Sequence, residues 1–225
     1  MAVPTALSFD PDGAELFERA ASPVLADLEA ALADLPRDRA GLRLPSLPSL
    51  RAHLAAPGTI GRIAASILGP DARPVRAILF DKSAAANWAL GWHQDRTICV
   101  AARRKVVGFG PWTLKAGMHH VEPPFALLAA MVTLRVHLDE VAADNAPLLV
   151  AAGSHRLGRV PEGSIEAAVR ACGTVACTAK AGDIWLYATP ILHASEAAAR
   201  PRRRRVLQLD YAARDLPGGL EWLGV

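Results

Sequence analysis

One tripeptide of the 225-residue sequence places a histidine and an acid at the spacing of a metal site: His93-Gln94-Asp95. Successive side chains of a β-strand point to opposite faces, so in a strand His93 and Asp95 project together while Gln94 points away. An imidazole and a carboxylate on one face are two of the three ligands of a facial metal triad. Since His-x-Asp also occurs by chance, the tripeptide predicts a metal site only together with a third ligand.

A third ligand is offered near the C-terminus, where residues 182–195 read as a Gly-Asp turn, a strand, a bend at Pro190 and a second strand. The second strand carries His193, and Ser195 shares its face. The chain between Asp95 and His193 is long enough for a sheet to return the histidine beside the first pair. The two segments together therefore predict a site of two histidines and one carboxylate.

A strand rich in arginine follows at 204–211. By strand parity Arg204, Gln208 and Asp210 share one face, while Leu207 and Leu209 share the other. We expect the polar face to line a cavity and the apolar face to pack under helices. A planar guanidinium suits a carboxylate because it donates two parallel hydrogen bonds. A one-residue bulge would exchange Arg204 for a neighbouring arginine, and the sequence leaves this alternative open.

Short runs with alternating or β-branched residues, separated by Gly, Pro, Asn and Asp, dominate the chain after Pro74. Many short strands at such spacing indicate an antiparallel sandwich or barrel. The predicted strands are 75–80, 97–101, 132–138, 148–151, 184–187, 191–195 and 206–211.

The first third of the chain has a different pattern, because apolar residues recur at helical spacing over 12–35, 50–54 and 60–68. Helices first and strands afterwards, without βαβ alternation, predict a mainly β structure with flanking helices. In this α+β arrangement the N-terminal helices pack on the outer face of one sheet. We expect one domain over 1–225, with a helical part over 1–74 and a β core over 75–225.

The composition limits the class of protein. The chain is 52% hydrophobic with a formal net charge of +3, so it can bury a full core and is not expected to be disordered. No apolar stretch reaches the roughly 18 to 20 residues that cross a bilayer, and the first residues lack the pattern of a secretory signal. We therefore expect a cytoplasmic protein without a membrane partner. Three cysteines without metal-binding or redox spacing indicate free thiols.

Between about residue 75 and residue 213 the chain resembles the phytanoyl-CoA dioxygenase family of iron(II)- and 2-oxoglutarate-dependent oxygenases. Order and spacing of the motifs carry the resemblance more than any single motif does. The motifs are Trp92-His93-Gln94-Asp95, Asn145-Ala146-Pro147-Leu148 followed by Gly153-Ser154-His155, Gly182-Asp183 with the bend over 190–195, and the arginine strand.

The resemblance implies a double-stranded β-helix (a cupin-like jelly roll) in which His93, Asp95 and His193 match the iron ligands. Arg204 matches the arginine that binds the far carboxylate of 2-oxoglutarate, and Ser195 matches a hydroxyl that assists there. The implied activity is hydroxylation of a small-molecule or carrier-bound substrate, with dioxygen as co-substrate and release of succinate and carbon dioxide. A carboxylate at Asp95 favours hydroxylation or desaturation over halogenation, since related halogenating enzymes carry a small residue at that position.

Four residues are candidates for substrate contacts, each with a simpler alternative. Lys82 would place a cation near the substrate or near 2-oxoglutarate, but solvated lysines are common at strand ends. His120 lies in a segment that reads as either a lid or an ordinary loop. Arg135 falls on the strand over 132–138 and would line the cavity. Trp185 is a cavity wall or simply a core residue.

Two other functions remain open on the sequence alone. The first is a cupin-type metalloenzyme with the same ligands, another metal and no 2-oxo acid. The second is a non-catalytic protein that binds nucleic acid through the run over 200–205, in which five of six residues are arginine. No aromatic ladder or nucleic-acid module supports the second alternative, so a nucleic-acid partner is not expected.

Overall fold

The computed structural model describes residues 6–37, 39 and 41–225. Among these residues the α-helices are α1 (Phe9–Asp12), α2 (Leu25–Leu32), α3 (Arg51–Leu54), α4 (Gly61–Leu68), α5 (Phe125–Ala129) and α6 (Ile165–Cys172). Short 3-10 helices lie at Ser22–Val24, Pro48–Leu50, Ser154–Leu157 and Glu162–Ser164. No helix in the described part of the chain exceeds eight residues, whereas a membrane-spanning helix needs roughly 20.

The strands of the described chain are β1 (Ala14–Phe17), β2 (Leu42–Leu44), β3 (Arg73–Lys82), β4 (Leu90–His93), β5 (Ile98–Val100), β6 (Trp112–Lys115), β7 (Met118–Val121), β8 (Val132–His137), β9 (Leu148–Val150), β10 (Val175–Cys177), β11 (Ile184–Ala188), β12 (His193–Ser195) and β13 (Arg204–Ala212). They form a six-stranded sheet in the order β1-β11-β8-β13-β3-β2, a four-stranded sheet in the order β10-β9-β12-β4, and a three-stranded sheet in the order β5-β7-β6. This antiparallel arrangement with flanking helices confirms the predicted fold class.

The long strand β13 fixes which side chains face the interior of the fold. It pairs with β3 and with β8, and its register places Arg204 opposite Lys82 and Gln208 opposite both Ile78 and Arg135. The first shift in this register comes at the C-terminal end, between Asp210 and the next residue. The face that begins at Arg204 is therefore continuous and turns toward the four-stranded sheet.

The opposite face of the same strand is apolar and packs under the N-terminal helices, as expected. Leu207, Leu209 and Tyr211 are fully buried in one cluster with residues that include Leu28 and Leu54. The Tyr211 hydroxyl donates a hydrogen bond to the Leu54 carbonyl at 3.0 Å, so its polar end is satisfied inside this layer. Burial of this cluster is the main favourable term that holds the helices on the sheet.

The single helix predicted over 12–35 is wrong in its first half. Gly13, at φ 75°, ends α1 in the left-handed conformation, and β1 then pairs with β11 at the edge of the six-stranded sheet. Pro23 lies in a 3-10 turn. A proline inside the expected helix would remove one backbone hydrogen-bond donor, so a continuous helix is disfavoured at this position. The helical spacing of apolar residues over this segment reflects burial on one side only. That pattern does not distinguish a helix from a short edge strand.

Residues 1–74 are consequently not helical throughout. They contribute both outer strands of the six-stranded sheet, since β1 lies at one edge and β2 at the other. Strand β2 pairs with β3 so that Arg43 lies opposite Ile78. The N-terminal part therefore reaches the same interior that the core strands enclose.

Candidate metal centre and adjoining cavity

The three predicted ligands come together at one end of the four-stranded sheet. His93 is the last residue of β4 and lies directly opposite His193 of β12, with the ring centroids 4.3 Å apart. Asp95 lies two residues beyond β4, in the connection to β5. One ligand atom from each residue falls within 4.8 Å of the others, which is close enough for a single metal ion. His93 therefore lies on a strand, as the parity argument assumed, whereas Asp95 does not.

Backbone carbonyls fix which nitrogen of each histidine is free. Nδ1 of His93 donates to the Gly91 carbonyl at 2.8 Å, and Nδ1 of His193 donates to the Ile191 carbonyl at 3.0 Å. Because a carbonyl only accepts, each Nδ1 carries the proton and each Nε2 presents a lone pair. Burial lowers the pKa of His193 to about 4, despite the opposing effect of Asp95. Its imidazole is therefore neutral near pH 7, as a metal ligand must be.

Asp95 is held by a buried arginine that the sequence analysis missed. Arg76 donates from Nη2 to Oδ2 of Asp95 at 3.3 Å, and its Nε donates to Asp210. Asp210 in turn accepts a hydrogen bond from Thr133 at 3.1 Å. Burial alone would raise the pKa of Asp95, but Arg76 and the two histidines lower it, so the carboxylate is ionised. Strand parity contained the signal for Arg76, because it shares the face of Lys82 on β3.

Beside the three ligands lies a cavity of about 490 Å³, within the roughly 300 to 1,000 Å³ typical of small-molecule sites. It opens between the six-stranded and four-stranded sheets. Among the described residues its one carboxylate is that of Asp95, and part of the wall is apolar, with Ile78, Phe80 and Leu90. Six cationic side chains line it: Arg43, Arg76, Lys82, Lys115, Arg135 and Arg204.

Arg204 enters this cavity as a buried charge without a partner. The residue is 2% exposed, and its Nε and Nη1 atoms have no hydrogen-bond acceptor among the described residues. Burial, with a smaller contribution from Arg135, lowers its pKa to about 9. An uncompensated guanidinium in a protein interior is costly, and it persists where a ligand supplies the missing charge. The position of Arg204 therefore indicates a binding site for an anion.

The other arginines of the run point away and are paired with acids. Arg205 contacts Asp139 at 2.7 Å and Glu29, while Arg203 contacts Asp81 at 3.0 Å. The two remaining arginines of the run, Arg200 and Arg202, both contact Asp144. The run is thus a set of ion pairs around one inward arginine. No bulge shifts this part of β13, so Arg204 itself faces the cavity and no neighbouring arginine takes its place.

Lys82 lies beside Arg204 and is held by three oxygen atoms. Its Nζ donates to the Trp88 carbonyl at 2.6 Å, the Ser195 hydroxyl at 3.1 Å and the Glu196 carbonyl at 3.1 Å. Burial, and then repulsion from Arg204 and Arg135, lower its pKa to about 8. Lys82 is therefore an organised part of the cavity wall, and it orients Ser195 next to the metal ligands.

The other three candidates for substrate contacts have separate outcomes. Arg135 lines the cavity, and its Nη1 donates to Gln208 at 3.0 Å. His120 also lines it, but from strand β7 and not from a lid; its Nε2 accepts from the Cys99 thiol at 3.0 Å. Trp185 does not reach the cavity. Its indole donates to the Thr178 carbonyl at 2.9 Å within the core between the sheets, so the simpler reading applies.

An antiparallel jelly roll with two histidines and one carboxylate beside a cavity defines the class of non-haem iron oxygenases. Within this class the chain belongs to the phytanoyl-CoA dioxygenase family, because the sequence profile of that family matches residues 31–206. The protein is an iron(II)- and 2-oxoglutarate-dependent dioxygenase, as the resemblance implied, and the cupin-type alternative without 2-oxoglutarate is set aside.

Solved structures share this fold. EctD from S. alaskensis with 2-oxoglutarate and 5-hydroxyectoine superimposes with a TM-score of 0.65 at 21% identity, over 100% of this chain and 83% of EctD. HygX from Streptomyces hygroscopicus with nickel and 2-oxoglutarate gives a TM-score of 0.61 at 17% identity, over 94% of this chain and 91% of HygX. A search of curated protein sequences found no match.

Proposed function

We propose that this protein hydroxylates a small organic molecule with iron(II) held by His93, Asp95 and His193. In this proposal Arg204 binds the far carboxylate of 2-oxoglutarate. The observation that carries it is the buried Arg204 guanidinium, which has free donors and faces the same cavity as the three metal ligands. The donor set fits iron(II), since two neutral imidazoles and a carboxylate leave coordination positions open for a 2-oxo acid and dioxygen.

When bound, iron(II) supplies the activation of dioxygen and the oxidative decarboxylation of 2-oxoglutarate. One oxygen atom of dioxygen enters the new C–OH group of the product and the other enters succinate, while the 1-carboxylate leaves as carbon dioxide. The chain's own part is to bind and orient. The Nδ1 hydrogen bonds of the histidines hold their Nε2 atoms toward the metal position, and Arg76 holds Asp95. Ser195 and Lys82 complete the polar end around Arg204.

The substrate class rests on the cavity and on the neighbouring structures. HygX has been crystallised with hygromycin B and EctD with 5-hydroxyectoine, both small molecules. A cavity of about 490 Å³ holds a 2-oxo acid and part of a second small molecule. An acyl group on a carrier is the second substrate form that we propose to test. We also propose that residues 1–225 act as one domain, since β1 and β2 complete the sheet that carries Arg204.

The proposal is tested by an anaerobic titration of metal-free protein with iron(II) and then 2-oxoglutarate. We expect one equivalent of iron to bind, and a visible charge-transfer band to develop as 2-oxoglutarate is added. On admission of air, succinate should be released. Iron binding without such a band would overturn the 2-oxoglutarate site at Arg204. Absence of iron binding would overturn the triad itself.

The affinity for 2-oxoglutarate is predicted to fall as the pH rises through about 8, the lowered pKa of Lys82. A bound carboxylate stabilises the charged ammonium and raises this pKa, so above it binding must take up a proton. The dissociation constant should be flat below that pH and then rise, by up to about tenfold per pH unit. Calorimetry with nickel(II) in place of iron measures it at alkaline pH. The Lys82→Met variant should bind more weakly at neutral pH and lose the rise that begins near pH 8. An unchanged dependence of the dissociation constant on pH in Lys82→Met would show that Lys82 does not cause the rise.

A further inference from the structure

The cations of the cavity exceed what the proposed cosubstrate can neutralise. Arg204 of β13 and Lys82 of β3 are cross-strand neighbours, at the end of the cavity where 2-oxoglutarate is proposed to bind. Arg76 is already compensated by Asp210 and Asp95. This leaves Arg43, Lys115 and Arg135 in a cavity where, among the described residues, the one lining carboxylate belongs to the metal ligands. Bound iron(II) and 2-oxoglutarate carry equal and opposite charges, so together they leave the positive excess of the cavity unchanged.

Arg43 and Lys115 form a second cationic group, apart from Arg204. Arg43 lies on β2 opposite Ile78, four residues along β3 from Lys82, which corresponds to about 13 Å at about 3.3 Å per residue. In the proposed binding mode both carboxylates of 2-oxoglutarate are engaged, one by Arg204 and the other beside the metal ligands, so neither is left to pair with Arg43. Another anion is therefore needed to compensate Arg43.

The two side chains differ in burial, since Arg43 is half-buried whereas Lys115 is exposed to solvent. The Arg43 Nε atom is buried without an acceptor, and neither Arg43 nor Lys115 forms an ion pair within the described ranges. Both line the cavity together with His120, and Lys115 lies on β6 two residues from Thr113, the cross-strand partner of His120. The two cations come from different sheets, one on β2 and one on β6, and both line the cavity. This convergence is typical of a ligand site.

We propose that Arg43 and Lys115 bind the carboxylate or phosphate of the second substrate, which is a small organic acid with an apolar body. This inference rests on the proposed function and adds the chemical class of the substrate. The apolar body contacts the wall formed by Ile78, Phe80 and Leu90. A guanidinium and an ammonium both donate charge-assisted hydrogen bonds to anionic oxygens. A cationic substrate is disfavoured by the same charges.

A binding experiment tests the site without turnover. Anaerobic protein saturated with iron(II) and 2-oxoglutarate is titrated with inorganic phosphate and, separately, with butyrate, in wild type and in Arg43→Gln/Lys115→Gln. We expect the double variant to bind the preferred anion about 10- to 100-fold more weakly. The matched control is Arg104→Gln/Lys105→Gln, which removes one arginine and one lysine from an exposed loop outside the cavity lining. The control should bind the anion within about twofold of wild type.

The two anions distinguish the acid group, since tighter phosphate binding indicates a phosphate ester and tighter butyrate binding a carboxylic acid. The charge-transfer band is recorded in the same samples. The inference fails, and the proposed function stands, if the band persists in wild type but neither anion binds it. The same holds if the band persists and both double variants bind the anion equally. If the band is absent from wild type, the proposed function fails. If the Arg43/Lys115 variant loses affinity for 2-oxoglutarate as strongly as for the anion, these cations serve the cosubstrate and the inference is overturned.

Turnover provides an independent check with matched compounds. Succinate release is measured with carboxylic acids against their amides, and with phosphate esters against their parent alcohols. We expect acids to stimulate release and their neutral partners to have at least about tenfold less effect. Stimulation by the neutral partners alone would contradict the proposed substrate class.

Discussion

Replacing His193 by alanine is expected to abolish iron binding and to lower succinate formation at least about 1,000-fold. The variant removes one of three ligands whose binding atoms lie within 4.8 Å of one another. His193 is also the most buried of the three, at 5% exposure, and its Nδ1 is fixed by the Ile191 carbonyl. Apart from His93, which is itself a ligand, no histidine in the described chain shares this cluster, so nothing replaces the lost Nε2.

The measurement combines iron content by spectroscopy with the rate of succinate release under air. His119→Ala is a suitable control, since His119 neighbours the cavity residue His120 on β7 but does not line the cavity. The control should keep one iron per chain and activity within about twofold of wild type. Thermal unfolding of the metal-free proteins shows whether either variant has lost its fold. Stoichiometric iron in a folded His193→Ala variant would exclude this histidine as a ligand.

Much of the site followed from sequence because His93, His193 and Arg204 lie on strands, where a spacing of two places side chains on one face. Asp95 lies beyond the end of β4, so strand parity does not set its position. The continuous register of β13 against β3 preserved the predicted face of Arg204 and Gln208. The same rule places Arg76 on the face of Lys82 in β3, so the sequence also contained the signal that Arg76 faces the cavity. Local parity is therefore informative wherever a strand is long and its pairing is regular.

The missed parts depend on contacts that are distant in sequence. Arg43 lies on a strand of three residues in a segment rich in Pro and Leu, where the alternation is too short to predict a strand. Its place in the cavity is set by pairing with β3, so the neighbouring sequence does not encode it. The edge strand β1 is similar, because its backbone hydrogen bonds with β11 outweigh a helical pattern of apolar residues. Tertiary pairing overrides local propensity most easily in such short segments.

The arginine run shows how charge alone misleads. Composition favours a basic patch, but four of the five arginines form ion pairs with the acids Asp81, Asp139 and Asp144. These acids are far from the run in the chain, and only the fold brings them to it. The fifth arginine, Arg204, is left without an acid, and this difference separates the functional residue from its neighbours.

Replacing Arg204 by glutamine is expected to weaken 2-oxoglutarate binding about 100-fold or more while iron still binds. The change removes the buried guanidinium, whose free Nε and Nη1 atoms are proposed to bind the far carboxylate. Arg204→Lys keeps the charge but loses the planar fork, so it should recover part of the affinity. Arg202→Gln is the control, because Arg202 is half-exposed and its partner Asp144 retains Arg200. Calorimetry with iron(II)-loaded, anaerobic protein measures all four dissociation constants.

Thermal stability distinguishes a ligand-binding role of Arg204 from a structural role. In the absence of 2-oxoglutarate, burial disfavours the charge of Arg204, as its lowered pKa of about 9 shows. Removing that charge should leave the thermal midpoint of the ligand-free protein unchanged or raise it. Added 2-oxoglutarate should then stabilise wild type but not Arg204→Gln, because a ligand stabilises a fold only in proportion to its binding. A variant that is less stable without ligand and is still stabilised by it would mean that Arg204 supports the sheet and that the anion binds elsewhere.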